Sequence, residues 1–167
     1  IKPDIVCCGK GMGGGIAVSG VVGKKKIMDL PDVGNMSSTN SANPIACSAG
    51  LAVIEEIQKK KLTLKSKRLG VLLHKGLNNI KKKFPNLFDV YGKGLIASMV
   101  FDKRVPNINY KLKLIVEDAM KNGLLLCYTG RESIKIGPPL TITREALKEG
   151  LKIIEESVEK IFKNEQN

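Results

Sequence analysis

The chain is organised around residues 5–15, which read IVCCGKGMGGG. The apolar run Ile5–Cys8 is short, β-branched or small, and ended by a glycine, so it predicts a buried strand. Lys10 follows that strand and precedes four glycines among the next five residues. Such a lysine reaches solvent, pairs with an acid or reacts, because a buried amine loses its proton more easily and then forms Schiff bases with carbonyl compounds. The residues alone leave two alternatives open, a reactive lysine and a solvated lysine in a glycine-rich hairpin.

The length of 167 residues suits one domain or slightly more, and a hydrophobic content of 43% is enough for a packed core. No apolar run approaches the length of a membrane span, and no charged-then-apolar signal segment stands at the start. The sequence starts with Ile1 and enters the predicted strand within its first residues. We therefore expect the chain to be the C-terminal portion of a longer protein.

The net charge of +12 arises from 28 basic and 16 acidic residues. The lysines form short runs at residues 24–26, 59–61 and 81–83, each at the end of an apolar segment, where solvated lysines are common. Aromatic residues make up 4% of the chain, so platforms for base stacking are scarce. Nucleic acid is therefore not the predicted partner.

The cysteines and the single histidine give no sign of a metal site. Cys7, Cys8, Cys47 and Cys127 lie in apolar stretches without a CxxC spacing. This pattern predicts buried free thiols in a reducing cytosol, with neither zinc nor disulfides. His74 stands beside an apolar helical stripe and is interpreted as a solvated or capping side chain.

The first part of the chain continues with a turn and short helix at residues 24–29 and a polar loop at residues 30–42. Long loops in compact domains are often functional, although a flexible connector is the alternative. Asn43 and Pro44 are typical of the N-cap and first turn of a helix, and that helix has a face of small residues. The lysine run at residues 59–61 marks the expected boundary between two domains, 1–58 and 59–167.

The second part predicts an α/β fold with helices on one side of a small sheet. Helical spacing covers residues 62–84, and a strand pair or one bent strand follows at residues 88–101, around the glycines at 92 and 94. A helix at residues 110–122 ends at Gly123, which is typical of the C′ position. Residues 124–127 and 133–136 predict two strands, and Thr143 is the expected N-cap of the last helix, with Ala146 at N3.

Four motifs in this order resemble one family. They are PDIVCCGKGMGGG at residues 3–15, STNSANPIAC at 38–47, GKGL at 92–95 and IKIGPPLTIT at 134–143. Together they resemble the class III (subgroup II) pyridoxal-phosphate-dependent aminotransferases, of the 4-aminobutyrate aminotransferase type. The resemblance extends over both halves of the chain.

The resemblance implies a role for several residues. Lys10 would be the catalytic Schiff-base lysine, and Thr39 and Ser38 would bind the cofactor, pyridoxal 5′-phosphate. Thr39 would reach the phosphate of the neighbouring subunit, so the active site would be shared within a homodimer. The fold would be the C-terminal part of a fold-type I transferase, with 1–58 ending the large domain and 59–167 forming the small one. The expected protein is cytoplasmic, uses an amino acid and a 2-oxo acid, and binds neither nucleic acid nor membrane.

Two departures from the family pattern qualify this reading. The acid for the pyridine nitrogen, the aromatic that stacks on the ring and the phosphate loop all precede the Schiff-base lysine in the family, and this chain has none of them. These residues alone are expected not to transaminate. In addition, Lys135 occupies the position of the family's substrate-carboxylate arginine, and a lysine is a point charge without the bidentate fork of arginine. Arg131 is a candidate substitute.

Four hypotheses for function remain at this stage. The leading one is transamination between an amino donor (4-aminobutyrate, another ω-amino acid or an amino acid) and a 2-oxo acid. An amino-acid racemase on the same scaffold is the alternative. A non-catalytic basic binding module belongs to a different class, and a fragment that only packs against the rest of its own polypeptide is the fourth possibility.

Overall fold

The computed structural model describes residues 1–163, and the chain divides into two compact units, Ile1–Lys61 and Leu62–Asn167. Each unit has its own sheet. We refer to them as the first and the second unit. Among the described residues, no helix is both long enough and apolar enough to cross a bilayer.

The first unit is built from a hairpin, a short helix, a loop and a longer helix. Strands β1, Ile5–Cys8, and β2, Gly20–Gly23, pair in antiparallel fashion, with Ile5 opposite Gly23 and Cys8 opposite Gly20. A 3-10 turn, Lys10–Gly13, follows β1. Helices α1, Lys25–Met28, and α2, Pro44–Lys59, complete the unit, as predicted from the cap and loop signals.

The first unit is open, and two sequence predictions about it are wrong. All four residues of β1 are exposed, with 46% of Ile5 and 43% of Val6 accessible, because no third strand or helix of this unit covers the two-stranded sheet. The thiols of Cys7, Cys8 and Cys47 are likewise exposed rather than buried, as is that of Cys127 in the second unit. An apolar run shows that a segment can be buried but does not show what covers it.

Helix α2 contacts the 3-10 turn through its small residues. Ala46 and Gly50 are its buried positions, in agreement with the predicted small-residue face. A Cβ at Gly50 would lie 3.8 Å from the carbonyl oxygen of Met12 and 3.8 Å from Cγ1 of Val18. The helix therefore packs directly against backbone.

The second unit contains three helices and a four-stranded antiparallel sheet. The helices are α3, Leu62–Lys83; α4, Ile108–Lys121; and α5, Arg144–Lys163. The strands are β3, Phe88–Lys93; β4, Ile96–Phe101; β5, Cys127–Tyr128; and β6, Ser133–Ile136, in the order β3-β4-β6-β5. This confirms the predicted α/β architecture.

One face of that sheet forms the core of the second unit. Ala97 and Met99 of β4 lie opposite Ile136 and Ile134 of β6, and all four are buried against the helices. The alternate residues face the other way and are accessible, including Ile96 at 61%. The helices therefore cover one face of the sheet, as the sequence predicts.

The β3–β4 hairpin needs glycine at a strained position. Gly92 has φ of +129°, and a Cβ there would lie 2.1 Å from the carbonyl oxygen of Ile96. L-residues avoid such φ values. The amide of Leu95 in the turn donates to Oγ of Ser66 on α3 at 3.2 Å, which ties the hairpin to the helix.

Helix α3 approaches its neighbours closely at two glycines. A Cβ on Gly70 would lie 2.5 Å from Cα of Gly94 in the hairpin turn. A Cβ on Gly76 would lie 2.4 Å from Cδ1 of Leu151 on α5. A larger residue at Gly70 would therefore clash with backbone, and one at Gly76 would require the Leu151 side chain to move.

A buried polar group joins α4 to α5. Asp118 is 9% accessible; its carboxylate accepts from Oγ of Ser157 at 2.9 Å and from Nζ of Lys160 at 2.5 Å. The Lys160 ammonium, and then the Ser157 hydroxyl, lower the pKa of Asp118 against the opposing effect of burial. The two hydrogen bonds offset the unfavourable free energy of burying the ionised Asp118 carboxylate.

Two further predictions for the second unit are wrong in part. The apolar residues 124–127 do not form a strand over their length, because only Cys127 and Tyr128 pair with β6. His74 is half-buried, and its Nε2 is buried without a hydrogen bond within the described part of the chain, so this nitrogen is neither solvated nor capping. The predicted N-cap of α5 is confirmed, with the Ala146 amide donating to Oγ1 of Thr143 at 3.1 Å.

Candidate active site

Lys10 begins the 3-10 turn directly after β1 and adopts a left-handed backbone with φ of +53°. A residue with a Cβ avoids this region, so the backbone at Lys10 is strained. The side chain is exposed, and the strand before it, β1, is exposed as well rather than buried as predicted. Burial within this unit therefore does not make its amine reactive.

The glycines after Lys10 turn the chain back towards β2. A Cβ at Gly13 would lie 2.7 Å from Cγ1 of Val18, so only glycine permits this packing. Gly14 has φ of +61°, and its amide donates to the carbonyl of Gly11 at 3.2 Å. The turn thus places Lys10 beside the segment that leads into β2.

An open cleft of about 730 Å³ adjoins Lys10 within the first unit. Its lining comes from the turn, from the segment before β2, from the polar loop and from the first turn of α2. The lining residues are Lys10, Ala17, Val18, Ser19, Ser38, Asn40, Ser41, Ala42, Asn43, Ala46 and Cys47.

The polar loop is held by its own hydrogen bonds. Oγ of Ser41 donates to the carbonyl of Ser38 at 2.7 Å, and Oδ1 of Asn43 accepts from the amides of Ile45 and Ala46 at 3.0 and 3.2 Å. The predicted Asn43 cap is therefore confirmed. These bonds fix the backbone at the C-terminal end of the loop, where Ser38 and Ser41 line the cleft.

Backbone strain is shared by two sides of the cleft. Ala42 also has a left-handed backbone, with φ of +55°, and lines the same cleft as Lys10. Strained residues other than glycine are typical of ligand-binding and catalytic sites, where the surrounding structure holds them in place.

The structure brings together some of the predicted site residues and not others. Lys10 and Ser38 line one cleft, whereas Thr39 is exposed and is not among the lining residues. Lys135 lies in the second unit, in the middle of β6, opposite Ser98 of β4 and Cys127 of β5. Its side chain belongs to the accessible face of that sheet.

The cleft offers the groups that a phosphorylated aldehyde needs. Lys10 supplies a primary amine, hydroxyl and amide side chains supply hydrogen-bond donors, and no carboxylate is among the lining residues to repel a phosphate. Within the described residues, no cluster of three or more His, Cys, Asp or Glu is arranged to hold a metal ion. The residues present thus fit pyridoxal phosphate as a bound group.

Of the residues that line the cleft, sequence reasoning assigned only Lys10 and Ser38 to the site; the polar residues that it did not assign are Ser19, Asn40, Ser41, Asn43 and Cys47. The glycine turn was the available signal for Ser19. It reverses the chain after β1 and brings the segment before β2, which includes Ser19, back past β1. A Cβ at Gly9 would lie 3.4 Å from Cβ of Ser19, which shows how closely the two segments pass.

Comparison with known proteins gives matches over nearly the whole chain. Residues 1–158 match the family described as aminotransferase class-III. A leucine/methionine racemase from Thermococcus litoralis is 39% identical over 162 residues, which cover 95% of this chain and 36% of that protein. The 5-aminovalerate aminotransferase DavT from Pseudomonas putida is 39% identical over 160 residues, covering 93% of this chain and 38% of that protein.

Solved structures show the same likeness in three dimensions. The ornithine aminotransferase from Toxoplasma gondii, whose active site is described as partially occupied by PLP, superposes with a TM-score of 0.89 at 26% identity. The superposition covers 99% of this chain and 39% of that one. The chain thus spans well under half the length of the proteins that it matches.

Proposed function

The chain belongs to the class III aminotransferases, and we propose that it forms the part of such an enzyme that carries the Schiff-base lysine, Lys10. Class III aminotransferases depend on pyridoxal phosphate. The proposed reaction is transfer of an amino group from 4-aminobutyrate, another ω-amino acid or an amino acid to a 2-oxo acid. The observation that supports it most directly is the strained Lys10 backbone beside a cleft of amine, hydroxyl and amide groups.

In this proposal each residue has a distinct role. Pyridoxal phosphate, when bound, supplies an aldehyde that condenses with amines and a conjugated ring that accepts electrons from the substrate carbon. Nζ of Lys10 would hold the aldehyde and, once released as a free amine, would carry a proton from the substrate carbon to the aldehyde-derived carbon of the cofactor. The hydroxyl of Ser38 donates to the cofactor from within the cleft. Lys135 attracts a substrate carboxylate as a point charge.

The proposed proton transfer by Lys10 takes place in a site from which water is excluded. The first unit leaves Lys10 exposed. We therefore propose that a second subunit and the remainder of the polypeptide exclude water from the site. In this arrangement residues 1–58 end the large domain, residues 59–167 form the small domain, and these residues alone do not transaminate. The protein would act in the cytoplasm, without nucleic acid or membrane.

The first experiment removes the Lys10 amine in the full-length protein. Lys10→Ala should abolish turnover and the covalent retention of cofactor after borohydride treatment, while Lys26→Ala, at an exposed lysine of α1, should change neither. Retained turnover in Lys10→Ala would remove this residue from the mechanism.

The second experiment tests whether Thr39 serves the neighbouring subunit. In a shared site, a hybrid dimer of one Lys10→Ala chain and one Thr39→Ala chain contains one site with both residues intact. Such hybrids should regain up to about half of the wild-type activity per dimer, although each parent dimer is impaired. If Thr39 serves its own subunit, neither site of the hybrid is intact and no activity returns.

A racemase is the second candidate, because the relative at 39% identity from Thermococcus litoralis has that activity in its name. In a racemase, Lys10 and a second group exchange protons with opposite faces of the substrate carbon. An amino donor given without an acceptor distinguishes the two. A transaminase should release one equivalent of oxo product per site, whereas a racemase should release none and should abolish the optical rotation of a pure enantiomer.

A further inference from the structure

Helix α3 carries an unusual distribution of charge. Its 22 residues include seven lysines and arginines and no Asp or Glu. Exposed helices normally alternate the two signs, because like charges three or four positions apart destabilise a helix. At its C-terminal end, Lys81 pairs with Asp89 at 2.5 Å and Lys83 pairs with Glu155, so that end is compensated.

The cations of α3 that precede Lys81 have no such carboxylate partner within the described residues. Lys65 donates to the carbonyl of Thr141 at 2.8 Å, which is a neutral acceptor. Arg68 and Lys75 have no carboxylate partner within the described residues, and neither has Arg144 at the start of α5. Arg144 is in addition placed at the positive end of a 20-residue helix, where a cation is disfavoured.

These four cations line one groove of about 770 Å³ within the second unit. Its floor is apolar and includes Leu69 and Leu72, both half-buried. No acidic and no aromatic side chain is among the residues that line it. The groove therefore presents an apolar strip bordered by unpaired positive charge.

We propose that this groove is a docking surface for an acidic amphipathic helix of a partner protein. Leucines on one face of such a helix would cover Leu69 and Leu72, and its carboxylates would neutralise Arg68, Lys75 and Arg144. Nucleic acid fits less well, because the groove has no aromatic side chain for stacking and its floor is apolar. The groove shares no lining residue with the Lys10 cleft, and the proposal does not depend on the proposed reaction.

The test uses the full-length protein and a fluorescein-labelled peptide of about 16 residues, which forms about four helical turns. The peptide carries Leu at i, i+3, i+4 and i+7 spacing and Glu at the flanking positions. Fluorescence anisotropy should show saturable binding that weakens as salt is raised. The Arg68→Glu/Arg144→Glu variant should weaken binding about tenfold or more. The control, Lys82→Glu/Lys113→Glu, changes the net charge equally at two exposed lysines outside the groove and should leave binding unchanged.

Three results would overturn the proposal. Equal loss of binding in the control would show a response to net charge alone. Equal binding of a peptide with its leucines replaced by serine, or of an oligonucleotide, would show a general polyanion site. Protection of Lys75 from acetylation in the free full-length protein, relative to Lys82, would show that the groove is already filled by the protein's own polypeptide.

Discussion

The two units contrast in how they bury their side chains. Every residue of the buried hydrophobic core cluster lies in the second unit, whereas only Gly13, Ala46 and Gly50 are buried in the first. The second unit is held by packing, and the first by turns, caps and one short strand pair. The candidate active site lies in the first unit, so the chemistry is assigned to the part of the chain with the least core of its own.

The largest expected effect tests this contrast with one change made in both units. Leu77→Ala on α3, at 0% accessibility, should lower the free energy of unfolding of the second unit by about 2–5 kcal/mol, because it leaves a cavity. Leu51 on α2 is 59% accessible, so Leu51→Ala should change the free energy of unfolding of the first unit by less than about 0.5 kcal/mol. Amide hydrogen exchange resolved by unit measures both, and equal effects would contradict the contrast.

Glycine substitutions should show the same difference. Gly92→Ala places a Cβ against the carbonyl oxygen of Ile96 at a φ of +129° and should destabilise the hairpin by about 3 kcal/mol. Gly11→Ala in the 3-10 turn meets nothing within 4 Å and should be nearly neutral. Urea unfolding of the two variants checks this, and a strong effect at Gly11 would show that the turn is more constrained than its geometry indicates.

The polar network of the second unit should appear in the pH dependence of its stability. The folded state lowers the pKa of Asp118, so this group stabilises above its ordinary pKa, and that contribution is lost as pH falls from about 4 through the lowered value. Asp118→Asn should lower the free energy of unfolding by about 1–2 kcal/mol at neutral pH. It should also reduce the loss of stability that accompanies acidification below about pH 4. Glu159→Gln is the control. Lys163 also lowers the pKa of Glu159, but the Glu159 side chain is largely accessible to water. The loss of stability in acid should therefore be nearly the same in Glu159→Gln as in the wild type. Thermal unfolding between pH 2 and 7 would measure the pH dependence of stability for both variants and the wild type.

The smallest expected effect concerns strain in the first unit. Lys10→Gly should raise its stability by about 1 kcal/mol relative to Lys10→Ala, because only glycine adopts a φ of +53° without cost. Both variants should lack turnover in the full-length protein. Greater stability of Lys10→Gly than of Lys10→Ala would show that the left-handed backbone at this position costs free energy, whereas equal stability of the two variants would show that the backbone relaxes.

The local signals in the sequence predict most of the helices and their starts. Asn43 and Thr143 both cap helices as expected, because a cap is formed by a side chain and amides two or three residues away. The strand at Ile5–Cys8 is also present, but its predicted burial is wrong. Burial depends on segments distant in sequence, and a β-branched run carries no information about whether they are there.

The candidate site was predictable only in part for a similar reason. The motifs give Lys10, Ser38 and Thr39, but only the first two line the cleft. The left-handed backbones of Lys10 and Ala42 have no signal in the sequence, because neither residue type favours a positive φ. Only the folded turn and loop reveal that the strained positions share one cleft.

The two close approaches of α3 also limit how this fold can vary. Gly70 meets the hairpin turn and Gly76 meets Leu151, less than two helical turns apart. If α3 slid along its axis by one turn, about 5.4 Å, it would bring larger side chains to both contacts at once. The two contacts therefore fix the position of α3 along its axis. The longest helix of the second unit can pack against its neighbours in only one register. Substitutions at exposed positions of α3 can then alter the charge of its surface, and with it the partners that bind there, without shifting the core.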